Sequence, residues 1–231
     1  MMRIVSDKYT AIAGKIGSMV ALMNKAGMCF RNLVIPSNPN TVAQQGVRAD
    51  LQTISLAWSA TLTSGQRAAW EAWAATLEFV SSLGTKYRIS GFGAYVAANG
   101  CRMVSPLTRI DAGPTVAGLD SFTAVVPTFD VSSHDISIAY TTTDPWAGEV
   151  GGGLIVRRCP LGFSPGVTYY QGPFIYGGYA IGAVAPPTSP LVITLAAGGI
   201  VLGKQYAIAV RSVRADGRYS PERIFRGLGV S

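Results

Sequence analysis

Apolar runs separated by short turn signals occupy the beginning of the chain. Residues 14–36 predict two extended runs around a reversal at residues 24–27, where Asn and Gly accept the positive φ that a tight turn needs. We therefore expect residues 1–39 to form an extended arm with a β-hairpin. A two-stranded hairpin is marginal in water by itself, so it should pack on the following helices or on a neighbouring subunit.

Helical spacing of apolar residues begins after this arm and predicts a helical module over residues 40–110. The first helix is expected to start near Asn40 or Thr41, because either side chain can accept the backbone N–H groups of the first turn. Its apolar stripe consists of Val47, Leu51, Ile54 and Trp58.

Two further helices are predicted in the same module. Thr63 and Gln66 stand three residues apart, which is the pattern of a capping box. Ser90 is a candidate cap of the third helix, and Gly100 is interpreted as its stop signal. The buried stripe of the second helix is predicted to contain Trp70, Trp73 and Leu77.

From residue 111 onward the period changes to strict alternation, which is typical of strands. Alternating apolar runs near residues 135–143, 151–159, 190–198 and 204–213 are bounded by turn residues. An Asp-Gly turn at residues 216–217 leads into a last strand. The predicted fold class is α+β, with the hairpin arm and helical module followed by an all-β, immunoglobulin- or fibronectin III-like sandwich over residues 111–231.

The net charge of +7 comes from the front half of the chain. Residues 1–110 hold 11 Lys and Arg against 4 Asp and Glu, whereas residues 111–231 hold 8 of each. This distribution favours an acidic partner, either a protein surface or nucleic acid; a solvated basic face is the alternative. Arg31 and Arg48 are the candidates for pairing with acidic neighbours.

Two segments are candidates for subunit interfaces. The arm carries apolar residues on both faces of its pleat, and burial within the chain is the alternative to burial by a second subunit. Residues 159–203 contain no charged residue, and charge depletion with many tyrosines is typical of an interface core. The alternative is a long loop that folds over the sandwich edge. The apolar and aromatic candidates are Met19, Leu22, Met28, Phe30, Tyr169, Tyr170, Phe174, Tyr176 and Tyr179.

Enzymatic, cofactor and metal chemistry are not indicated. His134 is the only histidine, and the adjacent Asp135 should point to the opposite face of a strand, so a catalytic triad is not expected. The three cysteines are far apart and lack a CxxC pattern, which argues against a disulfide framework or a zinc site. Prolines divide the uncharged segment into pieces too short to span a membrane.

Two resemblances extend this interpretation. The segments GKIGSMV, NPNTVAQQ, LTSGQRAAWEAWA and SGFGAYVAAN, within residues 14–99, together with Arg31 and Arg48, resemble phage and prophage virion-type proteins of undefined role. YAIAVRSVRADGRYSPE is similar to the late strands of fibronectin III or immunoglobulin-like modules, a likeness that covers residues 112–226.

The resemblance to virion-type proteins implies a non-enzymatic structural component of a bacteriophage particle, in the capsid, connector or tail, assembled in the host cytoplasm. Its expected partners are copies of itself and other virion proteins, with no membrane and no cofactor. The alternatives are an adhesin that binds host-surface glycans through the Tyr- and Gly-rich loop, and a nucleic-acid-associated virion protein that uses the basic front half.

Overall fold

The structure is a computed structural model, which describes residues 14–24, 27–35, 38–80, 84–196 and 198–231. The chain divides into two compact units, residues 1–45 and residues 46–231. Its elements, in chain order, are β1 (Gly14–Ile16), β2 (Met19–Asn24), β3 (Gly27–Asn32), α1 (Val42–Leu56), a π-helical turn (Ala57–Thr61), α2 (Ser64–Ala75), β4 (Phe79–Val80), β5 (Lys86–Tyr87), α3 (Gly91–Met103), β6 (Val126–Asp130), β7 (Asp135–Ala139), β8 (Gly153–Arg158), β9 (Ile175–Ile181), β10 (Leu191–Thr194), β11 (Gln205–Val213) and β12 (Arg223–Val230).

The small unit contains a three-stranded antiparallel sheet in the order β1-β2-β3. The predicted reversal lies between β2 and β3, with Asn24 opposite Gly27; residues 25–26 lie outside the described part of the chain, as do residues 1–13 of the predicted arm. A second reversal was not predicted: Gly17 has a φ of +57°, and this turn separates β1 from β2. The described part of the arm is therefore a three-stranded meander.

The helix starts follow the predicted caps. The Gln44 N–H donates to the Thr41 hydroxyl (3.4 Å), which places the cap of α1 at Thr41. Thr63 and Gln66 form the capping box of α2, and Ser90 caps α3. The prediction that Gly100 ends α3 is wrong, because the helix continues to Met103; a helical glycine costs only about 1 kcal/mol, which packing of the last turn can offset.

The large sheet has seven strands in the order β10-β7-β6-β12-β11-β8-β9 and is nearly closed into a barrel. All neighbours are antiparallel except β6 and β12, which pair in parallel through Phe129 opposite Gly229 and Asp130 opposite Val230. This short parallel ladder joins what would otherwise be two separate sheets. The prediction of helices followed by a β-rich part is confirmed, whereas the two-sheet sandwich is not confirmed.

Helices and sheet of the large unit share their cores. Along β8 the side chains alternate: Leu154 and Val156 belong to the cluster inside the sheet, and Ile155 belongs to the cluster on its outer face. In that outer cluster Ile155 joins Trp70, Trp73 and Tyr95, which line the inner side of the helices. The boundary near residue 110 stays a prediction, and the segments on both sides of it contribute to one core. No helix within the described residues is long and apolar enough to cross a membrane.

Candidate functional site

The arm residues proposed from the sequence differ in exposure. The ladder places Ala21 opposite Phe30 on one face and Leu22 opposite Cys29 on the other. Ala21 and Cys29 are buried, so each face has cover from within the chain at one position, in line with the alternative of intramolecular burial. Phe30 and Leu22 are half-buried. The side chain of Met28 lies outside the described residues.

The remaining candidates from the front half are exposed. Met19 is 43% exposed in β2, and Arg31 and Arg48 lie on the surface of β3 and α1. That these two arginines pair with acidic neighbours stays a prediction. The apolar stripe of α1 is buried at Ile54 but exposed at Val47, where 64% of the residue surface is accessible.

Two of the aromatic candidates in the uncharged segment pack internally. Tyr170 stacks in parallel on Phe163, with ring centroids 4.5 Å apart, and meets the edge of Phe174 at 5.4 Å. Its hydroxyl donates to the Pro173 carbonyl (2.8 Å), and the Arg226 guanidinium donates to the Thr168 carbonyl (2.8 Å). For Tyr170 and Phe174 the contacts therefore match the alternative of a loop folded over the sheet.

Three tyrosines of the uncharged segment, residues 159–203, are exposed to solvent. Tyr169 is 74% exposed in the loop, and Tyr176 and Tyr179 are exposed on β9, which forms one end of the sheet order. Burial raises the pKa of the Tyr176 hydroxyl, and the neighbouring Tyr179 adds to this shift. Pairing of β9 with β8 places Tyr176 opposite Arg157 and Tyr179 opposite Ile155. The two tyrosines therefore share one face with these residues of β8.

A groove with a volume of about 290 Å³ lies between α3 and the outer face of the sheet. Its lining residues, from α3 and the residue after it, the two strands β8 and β11, and the segment before β12, are Val96, Ala97, Gly100, Cys101, Val104, Ile155, Arg157, Arg211 and Glu222. Because Ile155 and Arg157 belong both to the groove and to the β9 cross-strand pairs, the groove and the exposed tyrosines form one continuous surface.

The two arginines in the groove differ in their hydrogen-bond partners. Arg157 donates to the Glu222 carboxylate, with Nε 2.9 Å from Oε1, and this forms an ion pair. Arg211 donates from Nη1 to the Cys101 sulfur (2.9 Å) and lies over the Tyr219 ring at 5.2 Å, while its Nε is buried without a partner. Burial lowers the pKa of Arg211, but Cys101, Glu222 and Tyr219 outweigh this effect, so the pKa is raised.

The groove was missed by the sequence interpretation for a physical reason. The residues that meet in the groove lie far apart in the sequence: only Arg211 and Glu222 are within a few dozen positions of each other, and Cys101 and Arg157 are more distant. No spacing rule brings them together. The register of β8 against β11 places Ile155 opposite Arg211. Only this register brings Arg157 and Arg211 near each other under α3.

The single histidine takes part in a backbone hydrogen bond, and the acidic side chains of the described residues form no group of metal ligands. His134 has a φ of +59°, and its Nε2 accepts a hydrogen bond from the Gly198 N–H (3.1 Å). Among the described residues, no three His, Cys, Asp or Glu side chains group as metal ligands. The chemistry that the groove offers is binding through a guanidinium, an ion pair and apolar walls.

No known protein family model matches the chain, and no curated protein matches it significantly.

Proposed function

We propose that this protein is a non-enzymatic structural component of a bacteriophage particle, acting through contacts between subunits. The resemblance of residues 14–99 to virion-type proteins suggests the particle. The observation that carries the assembly role is the exposed, uncharged face of β9 at the end of the seven-stranded sheet.

Edge strands normally carry charges or prolines that prevent pairing with other chains. Residues 159–203 have no charged residue, and within them β9 exposes Ile175, Tyr176 and Tyr179. Two copies of a protein with a net charge of +7 repel each other, and this repulsion is weakest where the surface carries no charge. Packing of the exposed β9 side chains of two copies against each other, around a two-fold axis, buries this surface.

The helix α1 offers a second contact surface. In its apolar stripe Ile54 is buried in the core, whereas Leu51 and Val47, on the preceding turns, are exposed. An apolar stripe of this kind on a helix normally faces a partner. In the particle we expect this stripe to be covered by a neighbouring virion protein.

The finer fold assignment, an immunoglobulin- or fibronectin III-like module, is also a proposal. In such sandwiches the first, second and fifth strands pack against the third, sixth and seventh. Here β6, β7 and β10 are neighbours, and β8, β11 and β12 are neighbours. The Val201 N–H donates to the Tyr206 hydroxyl (2.8 Å) at the start of β11, which resembles the tyrosine corner of these modules.

Sedimentation velocity over a wide range of concentrations tests the assembly role. We expect the wild-type mass to rise with concentration, and the double variant Tyr176→Lys/Tyr179→Lys to remain monomeric because lysines on both copies repel. Val126→Lys is the matched control, since Val126 is 63% exposed on β6, away from β9. A wild-type protein that stays monomeric throughout, or a double variant that associates normally, contradicts the proposed β9 contact.

A second candidate function is glycan adhesion. Tyr169 is 74% exposed, and Tyr176 and Tyr179 lie beside the Arg157–Glu222 pair, so aromatic faces and polar groups are both available to a sugar. Binding of the full chain to a glycan array, lost in Tyr169→Ala, would favour this function. An array without bound glycans would argue against it.

A further inference from the structure

We propose that the groove between α3 and the sheet is a binding site for a small organic monocarboxylate, with Arg211 as the group that holds the carboxylate. This site does not depend on the proposed role in assembly. Three observations carry it: the bonding state of Arg211, the room kept open by Gly100, and the balance of charge and apolar surface in the groove.

Arg211 differs from the other arginines that contact the core of this unit. Arg102 donates to the Thr108 and Arg214 carbonyls, and Arg214 donates to the Glu149 and Asp120 carboxylates. Arg211, in contrast, donates to a sulfur, which is a weak acceptor, and its buried Nε–H has no acceptor. A buried donor without a partner is costly, and a guanidinium is satisfied best by a carboxylate.

Gly100 keeps the groove open from the helix side. A Cβ added at Gly100 meets no atom within 4 Å, and its φ is not in the left-handed region. By comparison, a Cβ at Gly91 would lie 2.6 Å from Glu71, so close packing requires glycine there. Nothing inside the chain requires glycine at position 100, although glycine disfavours a helix interior. The missing side chain leaves room for a ligand in the groove.

The lining selects the chemical class of the ligand. Glu222 already balances Arg157, so Arg211 leaves one positive charge in the groove. Arg211 therefore neutralises a ligand that carries one negative charge. The second negative charge of a phosphate would be repelled by the Glu222 carboxylate. The walls formed by Val96, Val104 and Ile155 suit an apolar group attached to the carboxylate. A volume of about 290 Å³ corresponds to about ten water molecules, which admits only a small acid.

Titration of the ¹⁵N-labelled full chain with benzoate and hexanoate, followed by NMR, tests the site. We expect saturable shifts of the Arg211 Nε–H and of amides in α3 and β8. Benzamide and hexanamide have nearly the same shape without the charge and should produce no saturable shift. Equal shifts with acids and amides, or no shift with either acid, would overturn the proposal.

Two variants separate binding from folding. Arg211→Gln should weaken binding by at least about tenfold, because a neutral amide replaces the charge-assisted donors. Gly100→Leu retains Arg211, fills the groove and should abolish binding. Gly46→Leu is the matched control, since Gly46 is also helical with open space around it and does not line the groove; it should bind like wild type. Normal binding by folded Gly100→Leu would place the acids elsewhere and refute the site.

The outcome is separable from the proposed assembly role. The double variant Tyr176→Lys/Tyr179→Lys, if monomeric, still contains Arg211 and the α3 wall of the groove. Binding of benzoate by that monomer supports the site, independently of whether the wild-type protein associates. Association of wild type without binding of any acid refutes the site alone.

Discussion

Single side chains hold the segment after α3 against the helices. The Arg109 guanidinium donates to both carboxylate oxygens of Asp111 (2.7 and 3.0 Å), and the Tyr95 hydroxyl donates to Asp111 Oδ1 (3.0 Å). The hydrogen bond from Arg109 is the main reason why the pKa of Asp111 is lowered. Burial is the main reason why the pKa of Tyr95 is raised.

The lowered pKa of Asp111 predicts a pH dependence of stability. A carboxylate whose pKa is lower in the folded state stabilises the protein above its unfolded pKa of about 3.9, and this contribution is lost as the pH falls through the folded pKa. Asp111→Asn should therefore reduce the free energy of unfolding at neutral pH by about 1–3 kcal/mol and flatten its decline in acid. Urea denaturation at pH 7 and at pH 3 measures both effects. Equal losses at the two pH values would contradict this account.

Single residues also show where sequence reasoning is reliable. Trp70 and Trp73 were predicted to be core residues, and both are buried, because a large apolar ring at helical spacing has one low-energy environment. The exposure of Tyr169 and the burial of part of Tyr170 were not predictable, since adjacent residues in a loop share no periodicity. Tyr170 is held by Phe163, seven residues earlier in the chain.

Helix starts in this protein are determined locally. The Thr63 N–H donates to the Gln66 side chain (2.8 Å), and the Gln66 N–H donates to the Thr63 hydroxyl (3.2 Å). Thr63→Ala removes one of these bonds and should lower the free energy of unfolding by about 1 kcal/mol. Thr63→Ser retains the hydroxyl and is the control. Urea unfolding curves in which both variants equal wild type would show that the capping box contributes nothing.

Strand prediction succeeded where alternation was long and failed where it was interrupted. β7, β8, β10 and β11 all lie within predicted runs. β9 was interpreted as a loop, because Gly177 and Gly178 break its pattern of side chains. A Cβ at Gly178 would lie 3.1 Å from the Ile193 side chain, a tight approach where β9 comes near β10 across the nearly closed side of the sheet. That approach belongs to the tertiary structure and leaves no local signal.

At the scale of the large unit, one buried arginine connects helices and sheet. Arg102 is 2% exposed at the end of α3; its Nε donates to the Thr108 carbonyl (2.7 Å), and its Nη1 donates to the Arg214 carbonyl (3.0 Å) after β11. Burial lowers the pKa of Arg102. Because the helices and the outer face of the sheet also share one apolar cluster, we expect residues 46–231 to unfold cooperatively.

Arg102→Leu tests this connection. The substitution leaves two carbonyl groups without their donor and should lower the free energy of unfolding by about 2–3 kcal/mol. Helix content followed by far-UV circular dichroism and core packing followed by tryptophan fluorescence should shift to the same lower midpoint. Arg88→Leu, at an exposed position, is the control and should leave the midpoint nearly unchanged. Separate midpoints for the two signals would show that helices and sheet unfold independently.

The sequence by itself determined the features that depend on neighbours within a few residues: the helix caps, the tryptophan stripe, the alternation of most strands and the Asp-Gly turn. Tertiary structure alone decided the parallel pairing of β6 with β12, the internal packing of Tyr170, and the groove in which Arg211 meets Cys101. The physical reason is distance along the chain. Capping hydrogen bonds and spacing rules concern residues a few positions apart, whereas Arg211 and Cys101, or β6 and β12, come together only in the folded structure.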